Sequence, residues 1–236
     1  MSLTSADSLS PPPAGANHAL LMSRTGIVLL LGSAAAIAYL TRHCLAVANT
    51  TMQEEIGLTN EQFGYLYSAF SLGYLLCQIP GGWLGQRFGV RVALPMLACF
   101  WALMTCATAL VTALPALVAS RFLFGLAQAG LVPNQAQALR SWIPDSGRGL
   151  ARSVLVVAMS GGEIASLGLP GQWLTRYHWR TIFIGYGVLT IAWAGMFWLC
   201  YRNSPRTERS VDASTSPQAP SPVAGPRRKL PLSLLL

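Results

Sequence analysis

Charged side chains are scarce in this sequence, and acidic ones are the scarcest. Only 10% of the 236 residues are Asp, Glu, Lys or Arg, eight of them acidic and sixteen basic. With 53% hydrophobic residues and a mean hydropathy of +0.46, the chain is not a water-soluble domain and belongs to the membrane class. The net charge of +8 therefore concerns orientation in a bilayer and implies no nucleic-acid partner. Cysteines 44, 77, 99, 106 and 200 are odd in number, lie in or beside apolar runs and show no CxxC spacing. That excludes a disulfide framework and a zinc site, and leaves buried, inert thiols. HExxH and GxSxG are absent, and Ser160-Gly161 has no histidine on a neighbouring span, since His178 falls in a loop. No catalytic residue, metal or cofactor is indicated, and an intramembrane enzyme is not supported.

Long apolar runs dominate instead. Six candidate spans are expected at Gly26–Ala48, Phe63–Leu84, Val92–Leu114, Ala116–Leu139, Leu150–Leu174 and Thr181–Tyr201. Each is close to the ~20 residues that a crossing helix needs. Short connections predict an all-α bundle of antiparallel neighbours over residues 25–201. Residues 1–24 form a polar, proline-punctuated tail expected to be disordered, and residues 202–229 form a Pro/Ser/Arg-rich linker. Residues 230–236 resemble the start of a seventh helix.

Twelve basic residues (Arg24, Arg87, Arg91, Arg140, Arg148, Arg152 and six between Arg202 and Lys229) fall on one side of this arrangement. Only Arg176 and Arg180 fall on the other, together with Glu54, Glu55 and Glu61. Both termini are accordingly expected in the cytoplasm, with the bundle in the inner membrane. Pro80-Gly-Gly-Trp-Leu84, ending span two, recurs as Pro170-Gly-Gln-Trp-Leu174, ending span five. Those spans run in opposite directions, so the repeat predicts an inverted three-plus-three arrangement.

Polar residues recur at helical spacing within the spans. Span one carries Tyr39 and Arg42, with Asn49 beyond. Span two carries Tyr67, Ser71, Tyr74 and Gln78, and span four Arg121, Gly125, Gln128 and Gln135. Such stripes face a bundle interior or an aqueous cavity, or serve as interhelical hydrogen-bond glue. Arg42 lies about 9 Å from the nearer end of its span, and Arg121 about 8 Å from the same surface. Snorkelling is the alternative for Arg42. Two guanidiniums at similar depth repel unless an anion lies between them, and their planar donors suit a carboxylate or phosphate. Glu163 is the one acid well inside a span. It can pair with an arginine, titrate as a coupling site, or stay protonated. His43 is a further proton-site candidate, with an interfacial histidine as the alternative.

The stretch Gly82-Trp-Leu-Gly-Gln86-Arg87-Phe-Gly89-Val-Arg91 resembles the loop between helices two and three of the major facilitator superfamily. Arg121-Phe-Leu-Phe-Gly125, Trp142-Ile-Pro144 with Arg148-Gly149, and Trp179-Arg180 with Phe183 continue the match. With Tyr39 and Arg42 they resemble the anion:cation symporter branch, carriers of sugar acids and other organic anions. The resemblance implies that Arg42 and Arg121 bind the anion, with Tyr39, Tyr67, Tyr74 and Gln128 beside it. It also implies that Gly82, Gln86, Arg87, Gly89 and Arg91 form the conformational loop motif.

The departures are specific. Gln86 and Gly147 stand where the family has latch carboxylates. Thr41 and Gln128 stand where sugar-acid symporters have their proton-coupling acids, a pattern closer to the organophosphate:phosphate antiporters. The family also implies twelve helices, so this chain supplies one half. Lipid, a small anionic solute and a C-terminal half or second copy are the expected partners. A truncated, non-transporting fragment or interaction module is the alternative of another class.

Overall fold

In hydrocarbon each backbone N–H and C=O must be satisfied within its own segment, so apolar runs fold as helices. The computed structural model describes residues 24–173 and 177–202. The order is α1 (Arg24–Val47), α2 (Asn49–Ile56), α3 (Asn60–Phe88), α4 (Val90–Leu110), α5 (Leu114–Ala129) and α6 (Leu131–Trp142). A 3-10 turn (Asp145–Gly147) then leads to α7 (Arg148–Trp173) and α8 (Trp179–Cys200). The expected tail, linker and seventh-helix stub lie outside the described residues but for Arg24 and Arg202, as do Leu174 and Arg176.

Three features differ from the sequence expectation. The connection after the first span holds a two-turn helix, α2, closed by Gly57 in the left-handed region (φ 74°). The fourth span is broken at Gly130 into α5 and α6. Pro133 lies three residues on and has no N–H to offer the carbonyl four residues back. Among the described residues, five helices are long and apolar enough to cross a membrane, the broken pair counting as one. The remaining long helix, α3, is ample at about 43 Å but is less apolar, because its tyrosines, serines, glutamines and glycines dilute the hydrophobic run.

Local chemistry sets the helix ends. Thr59 Oγ1 accepts from the Gln62 N–H at 3.2 Å, and Gln62 Oε1 accepts from the Thr59 N–H at 2.9 Å. This reciprocal pair starts α3. Gly89 (φ 77°) both ends α3 and starts α4, a conformation that L side chains rarely adopt. Arg148 caps the other turn at this end by donating to the carbonyls of Ile143 (3.0 Å) and Arg140 (2.9 Å), and it pairs with Asp145.

The heaviest packing is α1 on α7, α3 on α5, and α4 on α8. Numbered as spans, these are one with five, two with four, and three with six. Exchanging the first three spans for the last three leaves that set unchanged, as an inverted repeat requires. The two repeat arginines obey the same exchange. Arg91 at the start of α4 donates to the Trp198 carbonyl near the end of α8 (3.4 Å). Arg180 at the start of α8 donates to the Ala109 carbonyl at the end of α4 (2.5 Å). Each thus serves carbonyls that the last turn of the partner helix leaves unpaired.

Glu55 completes the Arg180 cluster. Its carboxylate accepts from Arg180 Nη2 (2.8 Å) and Trp179 Nε1 (2.5 Å), and His178 Nε2 lies 2.9 Å away. The Arg180 hydrogen bonds hold the Glu55 carboxyl below its ordinary range. Burial opposes this, while the Trp179 N–H and the charges of Arg180 and His178 add to it. A carboxylate whose pKa is depressed on folding stabilises the fold above its unfolded value (about 4.3), and the contribution is lost as pH falls through the folded value. Glu55→Gln is therefore expected to lower the unfolding temperature at pH 7 by about 2 °C, the scale of one half-exposed ion pair. That gap should close below pH 4 in thermal unfolding of the purified protein.

Candidate functional site

Small residues bring α3 and α5 into backbone contact. A Cβ on Gly73 would lie 2.3 Å from the Phe122 carbonyl oxygen, and one on Gly125 would lie 2.2 Å from that of Phe70. Their absence lets the two helices meet. The approach places Phe70 and Tyr74 of α3, and Arg121, Phe124 and Gln128 of α5, against Arg42 and its neighbours on α1.

Arg42 is half-buried in an aromatic surround. Its guanidinium carbon lies 4.6 Å from the Tyr39 ring centroid and 5.0 Å from those of Phe70 and Tyr74. Such contacts hold a cation in place and partly offset its desolvation. Arg42 Nε donates to Gln128 Oε1 at 2.8 Å, and Gln128 Nε2 donates to the Ala38 carbonyl at 2.9 Å. Gln128 thus joins α5 to α1 and fixes the plane of the guanidinium. The side chain is engaged with other helices, which is not the arrangement expected of snorkelling.

Arg121 is buried, at 1% exposure. Its Nη2 donates to Thr108 Oγ1 of α4 at 2.7 Å, and the Phe124 and Phe183 rings lie 5.1 and 5.5 Å from its guanidinium carbon. Its Nε has no hydrogen-bond partner among the described residues, and no carboxylate pairs with it. Thr108 and Ser120 (3.1 Å from Thr108) escape sequence reasoning, and Phe183 enters it only as part of a motif. A threonine in an apolar helix more often bonds its own backbone, as Thr108 also does to Met104.

Both arginines line one cavity of about 210 Å³. Tyr67, Ser71 and His43 line it too, with Leu45, Leu66, Phe70 and Phe124 as apolar walls. Tyr39, Tyr74 and Gln128 do not line it and contact Arg42 instead. Gln78 is exposed further along α3, and Asn49 starts α2 with its Oδ1 unpaired. Thr41 is turned away from this chemistry, its hydroxyl bonded to the Ile37 and Ala38 carbonyls of its own helix. Glu163 pairs with His43 (Nε2 to Oε1, 3.6 Å) and with neither arginine. Among the described residues lining the cavity, the two guanidiniums are the only permanent charges.

The loop motif lies at the opposite end from Glu55. Gln86 and Arg87 are exposed, Gly82 packs on Pro133, and Arg91 engages Trp198. Gly85, within the motif, is more constrained than the residues singled out by sequence. A Cβ there would meet Asn134 Oδ1 at 1.8 Å, and its carbonyl accepts from Gln137 Nε2 at 3.1 Å.

Residues 31–236 match the Major Facilitator Superfamily. The chain belongs to that superfamily. It is 32% identical over 213 residues to the "Probable galactarate/D-glucarate transporter GudP" of Bacillus subtilis, covering 87% of this chain and 46% of that one. Against the "Probable sulfoacetate transporter SauU" of Cupriavidus necator it is 32% identical, covering 75% and 41%. The "Hexuronate transporter" of Escherichia coli K12 is 29% identical, at 78% and 43% coverage. Among solved structures, an inward-facing bacterial homologue of the lysosomal transporter Spinster superposes with a TM-score of 0.67 at 21% identity, covering 78% and 44%. The chain therefore has the fold of half a superfamily transporter and is an integral membrane protein. It spans less than half the length of these relatives.

Proposed function

We propose that the chain forms the anion-binding half of a secondary carrier of small organic anions, with Arg42 and Arg121 holding the negative group. The observation that carries this is one cavity that both guanidiniums line, with no carboxylate among the described residues of its wall. A buried cation without a counter-charge is costly, and an anionic solute supplies the missing charge. The relatives whose names specify galactarate, sulfoacetate and hexuronate favour carboxylates and sugar acids. Thr41 and Gln128, which leave the positive charge of the site uncompensated, favour an organophosphate or phosphate exchanger as the second reading. Helix α3 also crosses the bilayer, which brings the spans to six, and the excess of basic residues at the Arg87 end supports cytoplasmic termini in an inner-membrane protein. Exposed apolar residues on α3 and α7, Ile79 and Val157 among them, await lipid and a C-terminal half or second copy.

Galactarate, sulfoacetate and a phosphate monoester should be tested for binding to the purified chain by calorimetry. At least one is expected to bind, and Arg42→Ala is expected to weaken it at least a hundredfold, by analogy with charged-pair losses of about 3 kcal/mol or more. Binding unchanged in Arg42→Ala would sink the reading. Uptake into liposomes by the chain alone, against uptake requiring a second half, separates a complete carrier from a fragment.

A further inference from the structure

Two titratable groups beside the cavity are left over once the guanidiniums are assigned to the anion. His43 lines the cavity next to Arg42, and its Nε2 lies 3.6 Å from Glu163 Oε1 on α7. Glu163 is the only acid beyond the first turn of any helix of membrane-spanning length, and no other charged side chain pairs with it among the described residues. A carboxylate at that depth is expensive unless it has work to do. Its neighbour Gly162 brings the α7 backbone onto Ala36 of α1, where a Cβ would lie 2.2 Å from the Ala36 carbonyl oxygen. The pair therefore bridges two helices whose spacing is set by direct contact. His43 lines the cavity, which gives protons a route to the pair.

The positions nearer the arginines are unable to carry a proton. Thr41 is bonded to its own helix, and the Gln128 amide is committed to Arg42 and Ala38.

We propose that His43 and Glu163 form a proton-coupling site, sharing one proton whose binding is linked to the anion held by Arg42 and Arg121. The inference rests on the anion-site reading above. The groups facing His43 are Tyr39 and Arg42 on its own helix and Glu163 on α7, and Tyr67 of α3 and Arg121 of α5 line the same cavity. Without the proton, the imidazole and carboxylate together carry −1 against +2 from the guanidiniums. With it they carry zero, and the incoming anion meets the full positive field. Anion and proton then favour each other's binding, and by linkage each does so by the same factor. No covalent bond forms; the proton is held by the His43–Glu163 ion pair.

The test has two arms on the purified full chain. In the first, infrared spectra are recorded between pH 5 and 9 without any anion. A titrating band of the pair is expected that vanishes in Glu163→Gln and shifts in His43→Asn. In the second, galactarate and sulfoacetate affinities are measured at pH 6 and pH 8. Tighter binding at pH 6, on the order of tenfold, is expected in the wild type and not in either variant. Anion binding with the same pH dependence in Glu163→Gln overturns the proposal while leaving the anion site standing. Absence of binding in the wild type challenges the anion site, and the infrared arm then decides: a spectrum with no band lost in the variants overturns the coupling site.

Discussion

Arg121→Met is expected to remove anion binding and to raise thermal stability at once. The wild-type guanidinium is 1% exposed, donates from Nη2 to Thr108 Oγ1, and has an Nε without a hydrogen-bond partner among the described residues. A buried charge in that state is destabilising, and replacing such groups with apolar side chains of similar volume stabilises proteins by roughly 1–4 kcal/mol. The cost is functional, since stability is commonly surrendered where a site must hold a charged ligand. Arg121→Lys keeps the charge but not the planar fork, and should retain weak binding of the same anions. Thermal unfolding and calorimetric titration of the three proteins check both expectations. A methionine variant that unfolds at a lower temperature would show Arg121 to be a structural cation and not a ligand.

Gly125→Val should be the most damaging change away from the charged residues. Its Cβ would fall 2.2 Å from the Phe70 carbonyl oxygen and 3.0 Å from the Tyr74 nitrogen, both backbone atoms that cannot swing aside. Overpacking of this kind costs about 3 kcal/mol, the upper part of its usual range. Because Phe70 and Tyr74 surround Arg42, displacement of α3 should weaken the anion as well. Gly64→Ala on the same α3 is the control, since nothing lies within 4 Å of its Cβ. It should be neutral or stabilising by about 0.5–1 kcal/mol, as an alanine in a helix is. Denaturant titration in detergent separates the two variants.

Much of the architecture follows from patterns that lie along the chain. Run length marks the spans because a helix must cover the hydrocarbon thickness, and the Pro-Gly-x-Trp-Leu repeat marks the inversion. The breaks were less visible. Pro133 signals a disturbed helix, but Pro80 and Pro95 sit within unbroken α3 and α4, so the residue alone does not say where a helix will part. The weakly apolar α3 shows the limit of hydropathy where a helix faces a polar cavity on one side.

For the site, the sequence by itself determined which residues are expensive in a membrane: Arg42, Arg121 and Glu163, each with its helical face. It did not determine which of them meet. Periodicity orients a side chain about its own helix axis, whereas meeting depends on which helices touch and how closely. The glycines Gly73 and Gly125 settled that by letting α3 and α5 approach, which put both arginines on one cavity. The contact at Gly162 settled the other pairing, bringing Glu163 to His43 instead of to an arginine. Those decisions belong to tertiary structure because they rest on backbone distances of a few ångströms between segments tens of residues apart.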